Sequence, residues 1–134
     1  MTMENTAPRS LLLSVPAADG EPWSAESDDI ADWLETVEPT GISIVGERLT
    51  GIEDARMVSK RSGSVTVTDG PFAEFKEWFA GFDLINAPDL ETAVEIGSRH
   101  PSARFGKVLV LSLMHDAQSE ALLEETKKAR GIAD

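Results

Sequence analysis

Three features of the chain predict an α+β fold: apolar runs of strand length, two segments with helical spacing, and an alternating stretch that folds back as a hairpin. Ser10 to Val15 is nearly continuous in apolar residues, the pattern of a strand buried on both faces. Ile30, Trp33, Leu34 and Val37 recur at i, i+3, i+4 and i+7, which gives a helix one buried stripe. Val65 and Val67 alternate with Thr66 and Thr68, the period of a half-buried strand.

The remaining elements follow in order. Residues 1–9 are polar and carry Pro8, so a loose start is expected. After the first strand, Pro16 to Gly20 breaks the chain. Ser24 or Ser27 is expected to cap the first helix, with Asp28 and Asp29 in the first turn, where the dipole favours negative charge. Pro39-Thr40-Gly41 ends it. Ile42 to Leu49 reads as a second strand with Gly46 weakening its middle, and Gly51 to Asp54 reads as loop. Ala55 to Lys60 and Ser64 to Thr68 form a hairpin about Arg61-Ser62-Gly63. Asp69-Gly70-Pro71 then stops the strand abruptly. Ala73 to Ala80 reads as an irregular turn of helix or a lid, and Gly81 to Asn86 as another strand. Asp89 is the expected N-cap of a second helix whose inner face carries Leu90, Ala93, Val94 and Gly97. Pro101 pushes His100 out of helical angles, so this helix stops near Arg99. Gly106 to Met114 is expected as a last strand buried on both faces. Asp116 to Arg130 is a tail helix with acids early, bases late and Gly131 as its stop.

Without the hairpin and tail the order is βαββαβ, the ferredoxin-like plan. Two helices then cover one face of an antiparallel sheet and leave the other open. A homodimer packed sheet against sheet is expected, the tail helix crossing to the partner or covering a flank. The chain divides into a loose start (1–9), one domain (10–114) and a helical tail (115–134).

Composition narrows the functions. With 24 acidic and 12 basic residues the net charge is −12, which opposes nucleic acid and anionic membranes as partners. There is no cysteine, hence no thiol nucleophile or thiolate metal site. Leu11-Leu12-Leu13 is too short for a signal or a span, so a cytoplasmic protein is expected. Two histidines without metal-ligand spacing argue against a metal. No glycine-rich phosphate loop appears, and no cofactor is expected.

Asp69 and His100 are the candidate catalytic pair. A histidine can exchange protons near neutral pH, and a carboxylate can orient its ring. The competing reading has Asp69 bonded to its own turn and His100 capping the helix end. Arg104 is a candidate clamp for an anionic group, or else a structural partner of one of the many acids. Phe72, Phe75, Trp78, Phe79 and Phe82 could wall a flat ligand, or form core or dimer contact. Glu74 is a candidate second acid, or a solvated side chain.

From Asp69-Gly70-Pro71-Phe72-Ala73-Glu74 onward, the chain resembles the DGPF branch of the YCII-related family. The resemblance continues through Lys76-Glu77, Gly81-Phe82, Asp89-Leu90-Glu91-Thr92-Ala93 and His100-Pro101-Ser102-Ala103-Arg104, followed by Gly106. It covers about residues 10 to 114 and implies small dimeric α/β barrels on the ferredoxin-like plan. It also implies a shared aspartate and histidine, which fall by motif on Asp69 and His100. Most members have no established activity; a few relatives act on cyclic or chlorinated aromatic breakdown products, and some occur beside extracytoplasmic-function sigma factors. The chain departs from the family at Phe75, Trp78, Phe79 and Ala80, and where Leu111-Ser112-Leu113 replaces the usual Arg-Pro pair.

Three functions are therefore expected in competition. The first is a lyase- or isomerase-type enzyme for a small cyclic or carboxylated metabolite, with substrate contacts from Phe72, Glu74, Trp78 and Arg104. The second is a non-catalytic metabolite-binding or regulatory dimer, associated with an extracytoplasmic-function sigma factor. The third is an assembly protein whose tail helix is the working part.

Overall fold

The computed structural model describes residues 8–70, 78–114 and 116–131, with the side chain of Asp116 left aside. Four strands form one antiparallel sheet: β1 (Arg9–Pro16), β2 (Ser43–Arg48), β5 (Gly81–Asn86) and β6 (Gly106–Ser112). Their spatial order is β2-β5-β1-β6, the ferredoxin-like arrangement once the inserted hairpin is set aside. The hairpin is β3 (Arg56–Arg61) and β4 (Ser64–Asp69), a separate two-stranded sheet. Helices α1 (Ile30–Val37) and α2 (Leu90–Ser98) cover one face, a short α3 (Ser102–Phe105) leads into β6, and α4 (Asp116–Ala129) follows.

The core lies between that helix pair and the sheet. Leu12, Trp33, Val37, Ile85, Ala87, Ala93 and Ile96 are buried together, with Ile30, Leu34, Ile42, Val108 and Val110 against them. The helical spacing of Trp33 and Val37 and the strand period of Leu12 and Ile85 deliver these side chains to the same layer. A side-chain carbon at Gly97 would lie 3.4 Å from Leu12 and Val108. That is an ordinary contact distance, so α2 packs closely over β1 and β6 at this point.

Cross-strand register assigns the opposite face to Leu11, Leu13, Phe82, Leu84, Leu109 and Leu111. Leu11, Leu13, Phe82 and Leu84 are half-buried there, and Leu109 and Leu111 are each 43% exposed. Burial of β6 on both faces is thus corrected: Val108 and Val110 turn inward, and the alternate leucines turn out. The cap of α1 is corrected too. Asp29 occupies the N-cap position without a side-chain bond, and Asp28 Oδ1 accepts the Ile30 N–H at 3.1 Å. Ser24 and Ser27 close a separate turn upstream. Within the expected 51–54 loop, Ile52–Asp54 makes one turn of 3₁₀ helix.

The hairpin turns at Ser62 and Gly63 with φ of 51° and 80°, two consecutive left-handed residues as a type I′ turn requires. Val58, Val65 and Val67 on it are exposed. Helix α4 stops before Gly131 at φ 69°. Its Leu122 and Leu123 stay exposed. No helix among the described residues is long and apolar enough to cross a membrane. Most of the expected lid at 73–80, and His115, lie outside the described residues.

Candidate functional site

The site begins where α2 ends. Arg99 is the C-cap, and the His100 N–H still reaches the Gly97 carbonyl at 3.1 Å. Pro101, at φ −57°, starts the α3 turn, a backbone angle its ring presets. The His100 side chain folds over that turn, and its Nδ1 accepts the Ser102 N–H at 3.0 Å. That nitrogen therefore carries no proton, and the ring proton sits on Nε2. Nε2 stands 3.2 Å from Asp83 Oδ2. The Trp33 ring meets the imidazole edge to face at 4.6 Å between centroids, and Trp33 is itself anchored by its Nε1 donating to the Ile96 carbonyl at 3.1 Å. His100 and Asp83 are only 8% and 13% exposed. Buried polar groups need such partners.

Asp83 sits mid-strand on β5, paired with Leu12 on one side and Gly46 on the other. A side-chain carbon at position 46 would collide with Asp83 Oδ1. The glycine that weakens β2 thus makes room for the carboxylate.

Asp83 and His100 line a cavity of about 450 Å³ between the sheet and the helical layer. Ser14, Trp23, Asp28, Arg48, Gly81 and Phe105 contribute to the rest of its wall. Trp23 Nε1 donates to Asp28 Oδ2 at 2.8 Å. That bond, before any other cause, holds the Asp28 carboxyl below its ordinary value; partial burial opposes it, while the Ile30 N–H and the positive charge of Arg48 assist. A second hollow of about 220 Å³ lies between α1 and α2, beside Asp32, Ile96 and Arg99. It does not contain the Asp83–His100 contact. Among the described residues no cluster of three or more acidic or histidine side chains is placed to hold a metal.

Residues 1–115 match the family model of the YCII-related domain. The chain belongs to the YCII-related family. No curated protein matches it. The match ends before α4, so in this YCII-related protein the tail helix is an addition to the family domain.

The YCII-related chain separates the two residues paired from its sequence. Asp69 is 78% exposed at the end of β4, its Oδ1 2.9 Å from Arg56 Nε. The carboxylate that meets His100 is Asp83, which corrects the pairing. The physical reason is register: Arg56 lies directly opposite Asp69 in the hairpin ladder, close enough to claim it. His100 caps neither end of α2; it receives the first N–H of the α3 turn instead. Arg104 donates through Nη2 to the Ser27 carbonyl and lies 5.0 Å over the Phe105 ring. It braces the loop before α1. Trp78 is half-buried and stacks on Phe79 at 6.4 Å. Phe72 and Glu74 lie outside the described residues.

Sequence reasoning missed Asp83, Asp28, Trp23, Arg48 and Ser14. For Asp83 a signal existed, because it shares strand parity with Gly81 and the inward Ile85. An acid on the buried side of a strand needs a partner.

Proposed function

We propose that this YCII-related protein is a lyase- or isomerase-type enzyme for a small cyclic or carboxylated metabolite. Asp83 is its proton acceptor and His100 the residue that positions it. One observation carries this: a nearly buried carboxylate and imidazole, 3.2 Å apart, in the wall of a cavity of about 450 Å³. In an isomerisation, Asp83 takes a proton from a carbon beside an electron-withdrawing group and returns it to another carbon. In an elimination, the electron pair left on that carbon forms the double bond and expels the leaving group as an anion. General-base catalysis of this kind is worth roughly 10² to 10⁴ in rate.

The test is exchange of ligand C–H protons for deuterium. Small cyclic carboxylic acids are incubated with the protein in D2O and followed by NMR. Wild type should exchange, Asp83→Asn should not, His100→Ala should be strongly slowed, and Asp69→Asn should match wild type. Exchange that persists in Asp83→Asn overturns the proposal.

A second reading, a non-catalytic metabolite-binding dimer, is favoured by the engagement of both imidazole nitrogens within the protein. It predicts ligand-induced thermal stabilisation with no exchange, retained in His100→Ala. In either reading the chain works as a homodimer, supported by the apolar sheet face of β1, β5 and β6.

A further inference from the structure

We infer that Arg48 and Ser14, on either side of Gly81, form a carboxylate-binding subsite, with Trp23 as a wall for a flat ring. The inference rests on the cavity being a metabolite site and adds the ligand's chemical class.

Register carries the first part. Arg48 pairs with Gly81 across β2 and β5, and Gly81 pairs with Ser14 across β5 and β1. The three form one row across the sheet, and side chains in such a row share a face. That face is the helix-covered one, since Asp83, Leu12 and Ile85 have the same parity. All three residues line the cavity. Gly81 contributes no side chain, and a carbon there would stand 2.9 Å from the Glu47 carbonyl oxygen, so bare main chain separates the guanidinium on one side from the hydroxyl on the other.

The guanidinium is available. Arg48 makes no ion pair or side-chain hydrogen bond among the described residues. Asp28, whose charge it feels, is already engaged by the Trp23 indole and the Ile30 N–H. A planar guanidinium matches a carboxylate with two parallel bonds, and the Ser14 hydroxyl adds a third donor. Asp83 follows Gly81 by two residues on β5, roughly 7 Å along the strand. A ligand carboxylate over Gly81 therefore brings the adjoining carbons towards Asp83.

Trp23 supplies the wall. Its indole is 61% exposed at the cavity edge, yet its direction is set by the 2.8 Å bond to Asp28. A fixed, open indole face is a stacking surface. A carboxylate on one side and a ring surface on the other select a small ring acid.

The probes are benzoate, its uncharged analogue benzamide, and acetate, with binding measured by NMR titration. Benzoate should bind wild type roughly tenfold or more tightly than benzamide, the scale of charge-assisted hydrogen bonds. Arg48→Gln should erase that difference by weakening benzoate far more than benzamide, and Arg48→Lys should restore part of it. Trp23→Leu should weaken benzoate and leave acetate unaffected. Asp83→Asn should keep benzoate binding even where deuterium exchange is lost. Benzoate has no acidic C–H and reports binding alone. Benzoate bound through Arg48, while no cyclic acid bearing a C–H beside an electron-withdrawing group exchanges in wild type, upholds the subsite and removes the catalytic role of Asp83. Equal binding of benzoate and benzamide, no binding of benzoate, or an Arg48→Gln variant that behaves as wild type overturns the subsite.

Discussion

Gly46 of β2 lies across from Asp83 of β5, and the carboxylate occupies the space a side chain at 46 would need. Gly46→Ala should therefore swing Asp83 away and break its 3.2 Å approach to His100. The expected cost is about 1–3 kcal/mol, the range for overpacking. Urea denaturation would measure it, and the imidazole nitrogen resonances of His100 should shift in the same variant. Unchanged His100 resonances would contradict the steric account.

Leu12 is 1% exposed beneath both helices. Leu12→Ala should cost about 2–5 kcal/mol. Leu122 on α4 is 51% exposed, and Leu122→Ala should change stability by no more than about 0.5 kcal/mol. Comparable losses from the two substitutions would mean that α4 is packed in solution.

Asp28 gives a pH dependence with a definite sign. Its carboxyl is held below the ordinary 3.8, chiefly by the Trp23 indole N–H. A depressed folded-state value means the charged form is favoured by folding. The contribution is complete above the unfolded value and is lost as pH falls below about 3.8 through the folded value. Trp23→Phe should return the Asp28 titration towards 3.8 and reduce that acid-side loss. A carboxyl-carbon NMR titration that finds Asp28 unmoved in Trp23→Phe would count against it.

The open sheet face makes a prediction about assembly. Leu109 and Leu111 project from it at 43% exposure each. Lysine at both positions should convert a dimer to a monomer in light scattering while the circular dichroism of the fold persists. Removing residues 116–134 should leave the mass a dimer's. A wild type that is monomeric at micromolar concentration would end the dimer proposal.

Much of the fold was legible where the two periods hold, at Trp33 and Val37 on α1 and at Leu12 and Ile85 in the sheet. On α2, by contrast, the expected inner residues Leu90 and Val94 are exposed, and Ile96 is buried with Ala93 and Gly97. Helix α1 runs Ile30–Val37 where the stripe placed it, and Asp89 caps α2 by accepting the Thr92 N–H at 2.7 Å. Glycine and proline marked the breaks at 41, 63 and 101. The site was half legible. Pro101 fixed where α2 must end, and so where His100 stands along the chain. It did not reveal the ring's direction, which depends on the following Ser102 N–H. Asp69 stood out for its stiff turn, but local stiffness says nothing about which charge lies across a ladder. Counting back from Ser62-Gly63 brings Arg56 opposite it. Asp83 was hidden among Phe82, Leu84 and Ile85 because strand propensity drew more notice than parity. Trp23 and Asp28 come from a segment without regular structure, where periodicity carries no signal.

The type I′ turn at Ser62-Gly63 divides the cavity's contributors into two halves of the chain. Ser14, Trp23, Asp28 and Arg48 precede it; Gly81, Asp83 and His100 follow it. In the central sheet, β5 inserts between β1 and β2, and β6 adds beside β1, so neither half can complete the sheet alone. A chain severed at this bend would yield two polypeptides that regain the hollow only on recombining, which makes the exposed hairpin a natural place to build a complementation pair.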